Sequence, residues 1–127
     1  MTIVAGSIRG VNPGCGTMNC VNCAVATDAL LAGRPASALL GGPYKIGTLE
    51  SIFGAKFSMP LDIAKVVDAL SAAGSGSRAI VFGVRSGGVG HVFNAVNQRG
   101  TIRFLDGQTG TVAVLLGYTE FRFLRTN

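Results

Sequence analysis

Residues 90–106 read GHVFNAVNQRGTIRFLD, two apolar runs on either side of a polar turn. Residues 91–96 and 101–105 have the composition of strands, and the intervening NQRG at 97–100 has that of a hairpin turn. Two strands that are joined by such a tight turn run antiparallel and form hydrogen bonds with each other. The stretch therefore predicts a hairpin that begins at His91 and ends beside Asp106, with these two side chains next to each other.

The sequence outward from this hairpin predicts helices before it and strands around it. Apolar residues recur at helical spacing in the earlier segments, and short apolar runs bounded by Gly-rich turns flank the hairpin. The predicted helices cover about residues 20–31, 48–53 and 60–73; the further strands cover 79–84 and 118–124, with 112–116 either a strand or a helical turn. Helices followed by antiparallel strands indicate an α+β domain, with N-terminal helices packed on a C-terminal antiparallel sheet.

Two of the predicted helices carry recognisable signals at their ends and on one face. In the first, Asn19 suits the N-cap and Gly33 the stop. In the third, Pro60 suits the first turn and Asp62 the N-terminal dipole. The expected buried residues are Cys23, Ala26, Thr27, Leu30 and Leu31 in the first helix and Ile63, Val66, Val67 and Leu70 in the third.

The composition indicates one globular domain that binds neither nucleic acid nor a membrane. We place this domain at residues 15–127, behind an N-terminal arm at 1–14 that is rich in Gly, Asn and Pro. The net charge is +5, but Lys and Arg are scattered and the seven Phe fall in apolar patterns typical of a core. No apolar run reaches the length of a membrane span, and the N-terminus lacks a signal-peptide pattern.

The cysteines point to thiol chemistry. Their number, three, is odd, which argues against a disulfide framework and leaves at least one thiol free. Cys20 stands where the first helix is predicted to begin. The unpaired N–H groups and the dipole of a helix N-terminus lower the pKa of a thiol and favour the thiolate, which is the attacking form. Cys20 is therefore the candidate nucleophile.

His91 is the one histidine of the chain, so it supplies the one imidazole for base chemistry near neutral pH. It can take the proton of Cys20, and Asp106 can accept a hydrogen bond from the other ring nitrogen and fix the tautomer. The backbone N–H of Cys20, with Asn19 nearby, can stabilise an oxyanion. Gln108 is either a turn residue or an orienting group in the substrate pocket. These residues predict nucleophilic catalysis by a Cys-His-Asp triad.

Cys23 leaves alternatives open. It is a small core residue if the helix begins as predicted, but a helix that begins three residues later makes Cys23 the nucleophile. Cys20-x-x-Cys23 is also half of a zinc site, yet zinc needs a second pair of ligands, and Cys15 and His91 are poorly spaced for it. A thioredoxin-like role requires a preceding strand, which is missing. We therefore expect no metal and no cofactor.

Three blocks of the sequence resemble a known group of proteins. The blocks are Asn19-Cys20-Val21-Asn22-Cys23 with the helix that follows it, Gly90-His91-Val92-Phe93-Asn94, and Leu105-Asp106-Gly107-Gln108-Thr109-Gly110. Together they resemble the papain-fold toxin domains of bacterial polymorphic toxin systems, which are identified as glutamine deamidases. The resemblance extends over roughly residues 15 to 125.

The resemblance implies a papain-like core with Cys20 as nucleophile, His91 as base and Asp106 as orienter. It further implies a toxin domain of a larger secreted bacterial protein, which acts on a target-cell protein in the cytoplasm of that cell, and a cognate immunity protein that protects the producer. One feature departs from papain-type proteases. They carry Cys-Gly-Ser/Ala-Cys followed by an aromatic residue, whereas Ala24 follows Cys23 here.

The predicted activity is deamidation of glutamine side chains in a target-cell protein. A cysteine protease and a transglutaminase-like acyl transferase are the alternatives within enzymes, because all three share an acyl-enzyme and differ in leaving group and acceptor. A non-catalytic basic binding module is the alternative outside enzymes.

Overall fold

The computed structural model describes residues 20–34, 46–86 and 90–127. Within these ranges helices come first and strands follow: α1 (Cys20–Leu31), α2 (Gly47–Phe53), α3 (Ile63–Ala73), β1 (Arg78–Arg85), β2 (His91–Gln98), β3 (Thr101–Asp106), β4 (Thr111–Val112) and β5 (Tyr118–Arg125). The predicted α+β class is confirmed. The expected arm at 1–14, together with Cys15 and Asn19, lies outside the described residues.

The strands form one antiparallel sheet in the order β4-β3-β2-β1-β5. The predicted hairpin is β2 and β3, in which Gln98 pairs with Thr101 around a two-residue turn. Both turn residues have positive φ, 55° at Arg99 and 91° at Gly100, as a type I′ turn requires. Of residues 112–116, predicted as a strand or a helical turn, only Val112 belongs to a strand.

The helices cover both faces of this sheet. On one face, α1 and α2 form a cluster with strand residues, and its buried members are Val21, Ala24, Leu49, Ile80 and Val92. On the other face, α3 packs on the sheet, and the buried cluster contains Val66, Leu70, Ala79, Val81, Phe93, Ala95, Ala113 and Phe121. Alternate residues of a strand point to opposite faces, so strands between two helical layers are apolar almost throughout. Each large apolar side chain buried here contributes about 1.5–3 kcal/mol.

The predicted start of the third helix is wrong. α3 begins at Ile63, three residues after Pro60. Leu61 is instead bridged to Phe121: the N–H of Leu61 donates to the Phe121 carbonyl at 2.8 Å, and the Phe121 N–H donates back at 3.1 Å. A residue paired in this extended manner cannot also begin a helix, so the tertiary contact overrides the local signal.

α1 has the predicted bounds and buries more of its surface than predicted. Val21, Ala24 and Asp28 are buried in addition to the expected residues, while Leu30 and Leu31 are only partly buried. Asp28 tolerates this burial because its Oδ1 atom accepts hydrogen bonds from Arg78 Nε at 3.1 Å and from the Thr126 hydroxyl at 2.6 Å. These two hydrogen bonds connect α1 to β1, through Arg78, and to the C-terminal residues, through Thr126.

Candidate functional site

The candidate site lies where α1 and β2 begin and β3 ends. Asn94 ties the helix to the strand, because its Nδ2 atom donates to the Ala24 carbonyl at 2.9 Å and its side chain is fully buried. This contact positions the N-terminus of α1, and with it Cys20, against the start of β2 at His91. The orientation of the first helix on the sheet thus brings these two residues together.

His91 and Asp106 share one face of the sheet. Asn94 pairs with Leu105, so Asp106 follows as the neighbour of Phe93, and Phe93 and His91 are on the same side of their strand. The Nε2 atom of His91 lies 2.8 Å from Oδ2 of Asp106, and both side chains are 13% exposed. At this distance the carboxylate accepts a hydrogen bond from Nε2–H, which leaves Nδ1 for another partner.

Asp106 is held by its own turn. Its Oδ1 atom accepts the backbone N–H of Gln108 at 3.0 Å, and its carbonyl accepts the N–H of Gly110 at 2.8 Å. An Asp that precedes a Gly is commonly a turn residue, and Asp106 is also the expected orienter of the imidazole. The geometry lets it be both, because one carboxylate oxygen shapes the turn and the other holds the imidazole.

Cys20 contacts the other side of the imidazole. Its thiol lies within hydrogen-bonding reach of the His91 side chain and of the backbone of Val92 and Val21. Burial raises the pKa of the Cys20 thiol, but these hydrogen bonds and the charge of His91 outweigh it, so the pKa falls below the ordinary 9.0. The site therefore stabilises the thiolate.

The pKa of the imidazole shifts in the opposite direction. Burial lowers the pKa of His91, but the hydrogen bonds to Asp106 and Cys20 and their negative charges raise it to about 9, from an ordinary 6.5. A thiol with a lowered pKa beside an imidazole with a raised one favours a thiolate–imidazolium ion pair. In this pair the nucleophile is already ionised and the acid for the leaving group is already protonated.

Cys23 lies one helical turn from Cys20 and differs from it in environment. Only 1% of the Cys23 residue surface is exposed. Burial, together with the negative charges of Asp106 and Cys20, raises the pKa of its thiol to about 11. A buried thiol with a raised pKa is a poor nucleophile, so the environments of the two thiols differ in the direction expected if Cys20 is the attacking one.

Of the two residues predicted to assist the substrate or oxyanion, one is described. Gln108 is half-buried in the turn after β3, where its backbone N–H holds the Asp106 carboxylate. Asn19 lies outside the described residues, as does Cys15.

Among the parts of the chain that the structure describes, no group of three or more His, Cys, Asp or Glu is placed to hold a metal ion. None of the described helices is long and apolar enough to cross a bilayer.

Sequence reasoning missed Tyr118 and Arg85, which lie beside the site. The Tyr118 ring covers Gly83, the residue that pairs with His91, and a Cβ at Gly83 would lie 2.5 Å from that ring. A glycine in the interior of an apolar strand was the available signal, because it often marks a close approach by another group.

A thiol at a helix N-terminus facing an imidazole on a strand, with the imidazole held by the side-chain oxygen of an Asn or Asp, is the arrangement of papain-like cysteine hydrolases. The family described as papain fold toxin 1, glutamine deamidase, matches residues 18–111, about three quarters of the chain. The chain belongs to this family of papain-fold toxin domains, which confirms the expected fold. No curated protein and no solved structure matches the chain.

Proposed function

We propose that this toxin domain hydrolyses the side-chain carboxamide of glutamine in a target-cell protein, with Cys20, His91 and Asp106 as its triad. The observation that supports this most directly is the run of interacting groups from the Cys20 thiol through the imidazole to Asp106, in which the imidazole and the carboxylate lie 2.8 Å apart. The family's description supplies the reaction, and this run supplies a nucleophile, a base and an orienter for it.

In the first step, the Cys20 thiolate attacks the carboxamide carbon. A C–S bond forms, and the electron pair of the C=O bond moves onto oxygen. The His91 imidazolium gives its proton to the nitrogen as the C–N bond breaks. Ammonia leaves, and a thioester joins Cys20 to the substrate.

In the second step, the now neutral His91 takes a proton from water, and the water oxygen attacks the thioester carbon. The C–S bond breaks, and its electron pair returns to sulfur. The products are a glutamate side chain and the restored thiolate–imidazolium pair. The whole reaction consumes one water and releases one ammonia, and the residues named supply every proton transfer.

Charge on the substrate oxygen needs donors during both steps. The backbone N–H of Cys20 is among the first in α1, and such N–H groups have no partner within their helix. It is our candidate oxyanion donor, together with a side-chain amide from Asn19 or Gln108. Donors aimed at the developing oxyanion contribute about 10²–10³ in rate in comparable hydrolases.

The test is mass spectrometry of proteins incubated with the purified chain, combined with an ammonia assay. Conversion of glutamine to glutamate with release of ammonia is expected for the wild-type chain and for Cys23→Ala, the matched control. Cys20→Ala and His91→Ala are expected to show neither. Full activity of His91→Ala would contradict the mechanism.

The same experiment distinguishes the alternatives. Cleaved fragments would indicate a protease, and amine adducts would indicate a transglutaminase-like transferase, because only the leaving group and acceptor differ. No covalent change in any substrate, with Cys20 and Cys23 reacting slowly and alike with an alkylating agent, would favour the non-catalytic basic binding module.

We also propose the biological setting. The domain is delivered as part of a larger secreted bacterial protein and acts in the cytoplasm of a target cell, while an immunity protein protects the producer. Expression of the chain inside a bacterium that lacks such a protein should then stop growth. The Cys20→Ala chain, at the same expression level, should not. Equal toxicity of the two would overturn this proposal.

A further inference from the structure

Arg85 ends β1 at the same end of the sheet as the candidate site. Gly83, two residues earlier, pairs with His91, so Arg85 lies about 7 Å further along the strand. The register is irregular between Val84 and Arg85, where β5 carries Thr119 as an extra residue and the Thr119 hydroxyl donates to the Val84 carbonyl at 3.1 Å. Irregularities of this kind redirect side chains and are common next to active sites.

Tyr118 holds the Arg85 side chain in place. The Nη2 atom of Arg85 donates to the Tyr118 hydroxyl at 3.0 Å, and the guanidinium carbon lies 4.7 Å from the centre of the ring. The ring itself is fixed, since it lies on Gly83 and packs against Phe93 and Phe121 at centroid distances of 6.0 and 5.3 Å. A guanidinium held in this way loses little entropy when it binds a ligand.

Tyr118 also connects Arg85 to the reacting groups. Phe93, which packs on Tyr118, lies 6.3 Å from the His91 ring by centroid distance. Burial raises the pKa of the Tyr118 phenol and Arg85 lowers it, and the negative charges of Asp106 and Cys20 raise it. The charges of Arg85, Asp106 and Cys20 therefore all act on the Tyr118 phenol.

The charge of Arg85 is not neutralised by a carboxylate of the described residues. All six acidic residues of the chain fall in the described ranges, and four of them form ion pairs elsewhere: Asp28 with Arg78, Glu50 with Lys56, Asp106 with His91, and Glu120 with Arg122. Asp62 and Asp68, the other two, form no ion pair with Arg85. Arg85 is exposed, and a guanidinium presents several N–H donors, of which Tyr118 takes one.

We propose that Arg85 is a specificity-determining residue that binds an acidic side chain of the substrate protein next to the glutamine that Cys20 attacks. This rests on the proposed function. A carboxylate matches the fork of a guanidinium geometrically as well as by charge, which favours Asp or Glu over a neutral neighbour. The preferred target glutamine is accordingly one flanked by an acidic residue.

The first test needs no deamidation. The rates at which Cys20 is alkylated by iodoacetate, an anion, and by iodoacetamide, its neutral counterpart, are compared as a ratio. Arg85→Ala should lower this ratio about three- to tenfold, and Arg85→Glu should lower it further, because the local potential steers the anion. The control is Arg103→Ala, which removes an exposed charge about 17 Å from His91 along the strands and should leave the ratio unchanged.

The second test uses pairs of glutamine peptides that differ only in a flanking residue, Glu or Gln or Lys, and measures kcat/KM for deamidation. The wild-type chain should prefer Glu over Lys by about tenfold or more, Arg85→Lys should keep part of this preference, and Arg85→Glu should reverse it. High salt should weaken the preference in the wild-type chain.

The two tests separate failure of the inference from failure of the function. An alkylation ratio that Arg85→Ala and Arg85→Glu leave unchanged overturns the role of Arg85 whether or not the chain deamidates. Deamidation with no dependence on the flanking charge also overturns it, and leaves the proposed function intact. A changed alkylation ratio without deamidation of any peptide supports an anion-binding Arg85 and counts against the deamidase.

Discussion

Asp106 holds His91 with one carboxylate oxygen, Oδ2 at 2.8 Å from Nε2, and its own turn with the other, Oδ1 at 3.0 Å from the N–H of Gln108. The turn therefore fixes the orientation of the carboxylate group that the imidazole contacts. Asp106 thus affects His91 in two ways: its negative charge raises the pKa of the imidazole, and its fixed position orients the ring. Substitutions can separate the two effects.

Asp106→Asn keeps one acceptor oxygen, which can serve the imidazole or the N–H of Gln108 but not both, and it loses the charge. We expect a smaller loss of activity for Asp106→Asn, whose amide oxygen can still orient the ring, than for Asp106→Ala, which loses orientation as well and should fall about a hundredfold or more. In both variants the pKa of His91 should fall below its value of about 9, because the carboxylate raises it. NMR titration of the single imidazole measures this directly. An unchanged pKa in Asp106→Ala would contradict the role of the carboxylate.

The pH dependence of activity follows from the two opposite shifts. The thiolate–imidazolium pair exists above the lowered pKa of Cys20 and below the pKa of His91, about 9. Activity should therefore persist below pH 9.0, where an ordinary thiol is mostly protonated, and should fall as the pH rises through about 9, where His91 loses its proton. A profile of kcat/KM against pH checks both limbs.

Alkylation isolates the acid limb of that profile. Cys20 should react with iodoacetamide rapidly near neutral pH in the wild-type chain. In His91→Ala the hydrogen bond and charge that lower the Cys20 pKa are gone and burial remains, so the reaction should require alkaline pH. Equal rates in the two chains at pH 7 would show that the imidazole does not activate the thiol.

The two cysteines of α1 should behave differently on substitution. Cys20→Ala should abolish activity and leave stability nearly unchanged, because the thiol is partly exposed. Cys23→Ala should retain activity and cost about 1 kcal/mol in the free energy of unfolding, since the side chain is buried in the core. Urea denaturation and the deamidation assay measure the two quantities. Loss of activity in a folded Cys23→Ala chain would reopen the choice of nucleophile.

Gly83 should not tolerate a side chain. A Cβ there would lie 2.5 Å from the Tyr118 ring, so Gly83→Ala should lower the free energy of unfolding by about 1–3 kcal/mol and displace Tyr118 with Arg85. Gly47→Ala is the matched control, because nothing lies within 4 Å of its added Cβ. Thermal unfolding of the two variants provides the comparison. Equal stability of the two would mean that the ring does not rest on the strand.

Much of the site could be predicted from the sequence because its signals are local. A thiol at the start of an apolar helical pattern, and an imidazole and a carboxylate at the ends of a hairpin, are each readable within about ten residues of chain. The bounds of α1 and the turn at Arg99 and Gly100 were predicted for the same reason. Local backbone preference and tertiary packing agree at these places.

The start of α3 was predicted wrongly because that agreement fails. Pro60 and Asp62 have the chemistry of a helix start, but Leu61 pairs with Phe121, sixty residues later in the chain. Tyr118 and Arg85 were missed for a related reason, since their position beside His91 depends on the pairing of β1 with both β2 and β5. No local pattern reports which strands become neighbours.

The order of residue types along the chain determined the fold class, the hairpin and the three groups able to do thiol chemistry. Only the tertiary structure decided which sulfur meets the imidazole, how far each pKa moves and which side chains surround the pair. Periodicity and turn chemistry act between residues close in sequence, whereas burial, charge and strand order arise only when distant segments are packed together.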